Sequence, residues 1–279
     1  ASRKAADMLS KGVGFLLKKN KVELIAGNGT SKSPHEIAVA GGRTVSGRNL
    51  LVATGSRPRG IPGFEFDEKR VLSSNGALML EKLPRRVCIL GGGAIGVEFA
   101  HIMNAFGVEV HLVEMLDQLL PLEDSEVVEV LARSFKRRGV KAYVSTKATG
   151  WKAVPGAGGG GEALQVMLEG KDGAKAIEVD QILVVVGRAP NTDGIGLEAL
   201  GIKTEKGFIP VGDYYQTPVA GVYAVGDVIA TPMLAHLASK EGEIAAEHMA
   251  AAGRAGQAGR KTPVRQDPLS VPGGVYCEP

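Results

Sequence analysis

The stretch ILGGGAIGVE, Ile89 to Glu98, leaves this chain little freedom of fold. Gly91, Gly93 and Gly96 stand at the spacing G-x-G-x-x-G, directly after the apolar run RVCILG and directly before a helical pattern, Ala94 to Phe106, that Gly107 is placed to end. In that context Gly91 makes a tight turn, Gly93 lets the backbone approach a pyrophosphate, and Gly96 lets the helix pack on the strand. The anion then sits on free N–H groups at the positive end of the helix. A second strand, VEVHLVE, alternates apolar and polar residues and ends in Glu114. That is about 20 residues on, where a carboxylate can accept both ribose hydroxyls of an adenosine. The whole is a βαβ unit, which requires a parallel sheet and a right-handed crossover. A carboxylate repels a 2'-phosphate, and no arginine stands beside Glu114 in LVEMLDQ, so the expected nucleotide is NAD rather than NADP.

The flanking patterns extend this frame. Ala6, Leu9, Val13, Leu16 and Leu17 recur at helical spacing and predict an amphipathic helix from Arg3 to Lys19. VELIAG reads as a short strand, HEIAV and RTVSG as a hairpin around Gly41 and Gly42, and NLLVATGSRP as a buried strand running into a turn. Pro84, followed by Arg85 and Arg86, marks a boundary. A helix from about Asp124 to Arg138 carries Glu123, Asp124 and Glu126 at its start and Lys136, Arg137 and Arg138 at its end, as the helix dipole favours. VKAYV is the next strand. TGWKAV, ALQVML and AIEVDQILVVVG read as an antiparallel meander returning to a buried strand, with PGAGGGG as a flexible hairpin tip. GVYAVGD is a late strand, Pro232 to Ala252 a long Ala-rich helix, and AAGRAGQAGRKTPVRQ a linker.

Composition narrows the function classes. The 279 residues hold 33 basic and 30 acidic residues, interspersed, so there is no basic stripe for nucleic acid. No apolar run approaches the roughly 20 residues of a membrane span, and ASRKAADMLSKG lacks the apolar core of a secretory signal. A cytoplasmic or organelle-matrix location is the expectation. Cys88, inside RVCILG, and Cys277 both read as small packed hydrophobes rather than a disulfide framework. His101 and His111 read as solvated or packed, and His35 and His248 as surface. No metal site is expected.

VATGSRP, GGGAIGVEFA, VVVGRAPNT and VYAVGDVIATPMLAHLASKEG occur in that order, and the series resembles the two-dinucleotide flavoprotein family of disulfide reductases, most closely its dihydrolipoamide dehydrogenases. The resemblance covers essentially the whole chain. It implies FAD and NAD as cofactors and an α/β fold of two Rossmann-like dinucleotide-binding domains, each a parallel sheet plus an antiparallel meander, the FAD domain being interrupted by the NAD domain. Residues 1–83 would be part of the FAD domain, 84–190 the NAD domain, 191–260 the second FAD segment and 261–279 the start of an interface domain.

Position by position, the resemblance puts Gly29, Ala53, Thr54 and Gly55 against FAD, and Asp227 as acceptor for a flavin ribityl hydroxyl. Met233, Leu234, Ala235 and His236 would lie under the isoalloxazine, with the following helix N-terminus directed at the pyrimidine edge, where a reduced flavin gains negative charge. Around NAD it puts Gly91, Gly92, Gly93, Ala94, Ile95, Gly96, Val97 and Glu98, with Glu114, Ala148 and Gly187. Ile95 would stand beside the nicotinamide pocket and Glu98 near the nicotinamide. Read from the residues alone, Asp227 is equally a turn or cap residue, MLAH an ordinary helix start, and Glu98 a first-turn acid favoured by the dipole.

The family pattern also has an N-terminal glycine loop for FAD, a C-x4-C redox pair and a C-terminal interface domain with a His-Glu pair. None of these is in the 279 residues, so the chain is expected to be an internal piece, with no catalytic residue of the dithiol chemistry in it. The implied activity is electron transfer between dihydrolipoamide and NAD through FAD and that cysteine pair. The implied partners are a small dithiol or the lipoyl domain of a 2-oxoacid dehydrogenase complex, and a second copy in a full-length homodimer. Mercuric reductase, NADH oxidase and transhydrogenase share these motifs, and a non-catalytic NAD-binding module stays open beside them.

Overall fold

A computed structural model describes residues 2–156, 161–171, 173–252, 266–267 and 270–278. The hairpin tip at 157–160 and most of the predicted linker therefore lie outside the described residues. The chain divides into two units, one from 1–52, 192–225 and 242–264, the other from 53–191, 226–241 and 265–279.

The first unit opens with α1 (Ser2–Lys19), followed by β1 (Gly29–Ser33), β2 (Glu36–Val39) and β3 (Arg43–Ser46), an antiparallel sheet in that order. The hairpin turns at Gly41 and Gly42 as read. β4 (Leu50–Val52) pairs in parallel with β15 (Val222–Ala224), whose three residues are all buried. VELIAG forms no strand. Val22 donates its N–H to Leu17 O and Asn20 donates to Leu16 O, so this segment's first backbone groups close α1 instead, and Val22 and Leu24 are exposed. A strand persists only where a neighbour takes up its backbone groups, and none of the described strands pairs with it. His248, on α5 (Ala235–Ala252) and read as surface, is half-buried: its ring stacks on Tyr214 at 4.7 Å and its Nδ1 lies 2.9 Å from the Tyr223 hydroxyl.

The second unit is built on a five-stranded parallel sheet. Its strands are β6 (Val71–Leu72), β7 (Arg86–Leu90), β8 (Glu109–Val113), β9 (Lys141–Tyr143) and β13 (Gln181–Val184), in the order β6-β13-β7-β8-β9. α3 (Ala94–Ala105) crosses from β7 to β8, and α4 (Ser125–Arg137) from β8 to β9. Asp124 caps α4 by accepting from Glu126 N–H at 2.9 Å, and Phe106 and Gly107 end α3 as predicted. A meander of β10 (Thr146–Pro155), β11 (Glu162–Gly170) and β12 (Gly173–Val179) then returns the chain to β13.

Strand alternation sends residues to two cores. Val87, Ile89, Val110, Leu112 and Leu183 pack with Val97, Met103, Leu131 and Phe135 of the helices. Cys88, Leu90, Val113, Ile182 and Val184 pack with Leu164, Val166, Leu168, Ile177 and Val179 of the meander. The sheet is thus covered on both faces, as parallel sheets are. Of the two readings of His111, solvated or packed, the structure shows the packed one: it is buried, bonded to Glu109 and the Tyr143 hydroxyl. Several short elements escaped the sequence reading, β6 among them. α2 (Ser74–Leu78) is capped by the Ser73 hydroxyl, and β5 (Ser56–Pro58) pairs antiparallel with β14 (Arg188–Pro190). No described helix is long and apolar enough to cross a membrane.

Candidate functional site: the glycine loop and the Asp227 cluster

The loop between β7 and α3 has the form its glycines predict. Gly91 adopts φ +112°, and a Cβ there would fall 2.5 Å from Val185 O. A Cβ on Gly96 would meet Gly91 O at 1.8 Å, so only glycine lets α3 seat on the loop. Gly93 differs: a Cβ there would meet nothing within 4 Å. The N-terminal end of α3 therefore faces open space, where the helix leaves its first N–H groups without intrahelical acceptors. This is a fitting cradle for a pyrophosphate.

Glu114, buried at the end of β8, closes one side of the cradle. Its Oε2 accepts Gly92 N–H at 2.6 Å and its Oε1 accepts Leu116 N–H at 2.8 Å. Its backbone joins three strands' ends, donating to Tyr143 O and accepting from Thr146 N–H. Ala148, half-buried in β10, follows two residues later at a register shift. Gly187, exposed, follows β13, and its carbonyl accepts Arg59 N–H. Gly91 to Ile95, Glu114 and Gly187 thus lie just beyond the carboxyl ends of β7, β8 and β13, where open α/β sheets bind ligands, whereas Val97 is buried in the helix-side core and Ala148 packs against the meander-side core. Ile95 packs partly against the helix-side core. Glu98 is half-buried, and its Oε1 accepts Tyr276 N–H at 2.9 Å, a contact that the sequence did not signal.

The flavin-side candidates fall in both units. Gly29, in β1, belongs to the first. The others belong to the second. The turn Ala53-Thr54-Gly55 is tied to Asn191: Thr54 Oγ1 donates to Asn191 O, Asn191 Nδ2 to Thr54 O, and Asn191 N to Gly55 O. Asp227 lies in a 3-10 turn, Gly226–Val228, and its Oδ2 accepts the Ser56 hydroxyl at 2.5 Å. Ser56 Oγ in turn accepts Arg188 Nε at 2.6 Å, placing the guanidinium 3.9 Å from Asp227. Ser56 and Arg188 are functional candidates that the sequence reading missed; the pairing of β5 with β14 brings them together, and no local pattern announces it. Met233 and Leu234 are half-buried ahead of α5, while Ala235 and His236 are exposed in its first turn, with His236 Nε2 2.9 Å from Pro272 O.

Neither cysteine is placed for thiolate chemistry. Burial pushes the Cys88 thiol far above its ordinary range, and burial followed by the neighbouring Glu98 carboxylate pushes Cys277 up to about 11. Among the described residues, no group of three or more His, Cys, Asp or Glu could hold a metal ion.

Residues 2–242 match the family described as pyridine nucleotide-disulphide oxidoreductase. A dihydrolipoyl dehydrogenase of Thermus scotoductus is 43% identical over 87% of this chain and 52% of its own length. A dihydrolipoyl dehydrogenase of Rhizobium etli is 36% identical over 100% of this chain and 59% of its own length. The crystal structure of LpdA from Mycobacterium tuberculosis superposes with a TM-score of 0.80 at 30% identity, over 98% of this chain and 58% of that one. The chain thus spans somewhat over half the length of the curated relatives it matches.

Proposed function

Because the chain belongs to the pyridine nucleotide-disulphide oxidoreductase family, whose cofactors are FAD and NAD, we propose that it is the nucleotide-binding part of a flavoprotein oxidoreductase of the dihydrolipoyl dehydrogenase type. The activity proposed is electron transfer between dihydrolipoamide and NAD, through FAD and a cysteine pair outside these 279 residues. The observation that carries the NAD half is the open approach to Gly93 combined with Glu114 at the end of β8.

In this reading Gly91 to Gly96 bind the pyrophosphate through backbone N–H groups, and Glu114 orients the adenosine ribose. Ile95 and Glu98 border the nicotinamide, and Ala148 and Gly187 line the rest of the site. Gly29, Ala53, Thr54 and Gly55 contact FAD, Asp227 accepts from its ribityl chain, and Met233 to His236 support the ring at the start of α5. Bound FAD supplies the hydride and electron exchange that side chains alone cannot. Residues 84–190 are assigned to the NAD domain, 1–83 and 191–260 to the FAD domain, and 261–279 to the start of an interface domain. The proposed partners are a small dithiol or a lipoyl domain, and a second copy of the full-length protein.

The visible spectrum of the purified protein tests this reading. A flavin band that bleaches on adding NADH supports it, and NADPH binding as tightly as NADH would overturn the role of Glu114.

A further inference from the structure

Among the described residues, Glu241 is the carboxylate most completely shut off from solvent, at 0% exposure. It lies nearly two turns into α5, and in the sequence nothing sets it apart from Glu243 and Glu247 on the same helix. A buried carboxyl is tolerated only where its oxygens find donors. Here Oε2 accepts Gly226 N–H at 2.6 Å and Oε1 accepts the Thr231 hydroxyl at 2.8 Å. One side chain therefore fastens both ends of the segment 226–231.

The rest of that segment is fitted to the clamp. Gly226 adopts φ +73°, a conformation that glycine holds without strain, and a Cβ on it would already touch Ala238 Cβ of α5 at 3.4 Å. Val228 and Ile229 are fully buried, and Ile229 N–H closes the turn on Gly226 O. Asp227 is the residue whose side chain leaves this anchored turn for the Ser56 hydroxyl.

We infer that Glu241 is a positioning residue for Asp227: by holding Gly226 N–H and the Thr231 hydroxyl, it fixes the backbone from which Asp227 presents its carboxylate to the flavin sugar chain. The inference rests on the reading of Asp227 given above.

The test is a double-mutant cycle on the protein stripped of flavin and re-titrated with FAD, read together with amide hydrogen exchange. Asp227→Ala and Glu241→Ala should each raise the FAD dissociation constant about tenfold, and the double variant about tenfold rather than a hundredfold, since the placement of a missing carboxylate no longer matters. Glu241→Ala should also speed exchange at Gly226 by tenfold or more while β7 and β8 keep their protection. If the two effects multiply, or if Gly226 exchange is unchanged, the positioning role is overturned and the reading of Asp227 stands. If Asp227→Ala leaves FAD affinity untouched, the reading of Asp227 itself fails and takes the positioning role with it. Should Glu241→Ala not fold, Thr231→Val removes one of the two bonds, and the same cycle applies with an expected single effect of about threefold.

Discussion

Glu114 Oε2 lies 2.6 Å from the backbone nitrogen of Gly92, so the acid that ends β8 is bonded to the loop that ends β7. The two halves of the proposed nucleotide site are thus held in one geometry by a buried hydrogen bond. Replacing the acid removes that bond together with the ribose acceptor proposed for it. Glu114→Ala should weaken NADH binding about tenfold or more, equivalent to about 1.4 kcal/mol or more, and narrow the preference over NADPH. Isothermal titration with both nucleotides measures each effect, and an unchanged NADH affinity would refute the assignment.

Gly93 and Gly96 should respond in opposite ways to the same substitution. Gly96→Ala drives a methyl group into the Gly91 carbonyl, so the loop must shift and thermal stability falls by about 1–3 kcal/mol. Gly93→Ala meets no protein atom, so the melting temperature should hold while NADH affinity drops. Melting curves with and without NADH separate the two; equal loss of stability in both variants would contradict the open cradle.

Phe135 is completely buried where α4 packs on the parallel sheet. Truncating it to Ala should cost about 3–5 kcal/mol, the range for large aromatic side chains in a core. Urea unfolding provides the measurement.

His111 gives stability a defined pH dependence. Burial is the main cause that lowers its pKa from 6.5, outweighing the Glu109 carboxylate beside it. Near and below pH 6.5 this imidazole therefore binds less proton in the native state than in the unfolded chain. Stability contributed by neutrality is full above about pH 6.5 and is lost as pH falls below it. The lowered carboxylates Glu109 and Asp180 lose theirs only below their ordinary values of 4.5 and 3.8, which leaves pH 5 to 6.5 to His111. Across that window the urea midpoint of the wild type should fall more than that of His111→Gln, with a slope below about 1.4 kcal/mol per pH unit. Parallel curves would rule the effect out.

Much of the second unit was legible because its signals are local: the glycine spacing, the helix from Ala94, the cap at Asp124 and the meander all follow from residues within one element or its neighbour. VELIAG failed for the complementary reason, since apolar composition does not supply the pairing partner that a strand needs. The clustering of Ser56, Arg188 and Asp227 depends on strands more than 130 residues apart in sequence, and the buried role of Glu241 on how a helix meets a turn. Both are products of packing, which periodicity does not encode. Whether His111 is solvated or packed stayed open for another reason, because alternation looks the same whether the polar side faces water or a second layer.

The lack of room for a Cβ between Gly91 and the Val185 carbonyl, finally, sets an order of assembly. The turn proposed to receive the nucleotide abuts the end of β13, which enters the sheet between β7 and β6 only after the meander has been made. A ribosome that has released Gly91 to Glu114 has delivered every residue of the fingerprint, yet its wall is still unsynthesised. Nucleotide should therefore engage the nascent chain late, once Val185 has cleared the exit tunnel, and premature termination before that point should leave a fingerprint that binds nothing.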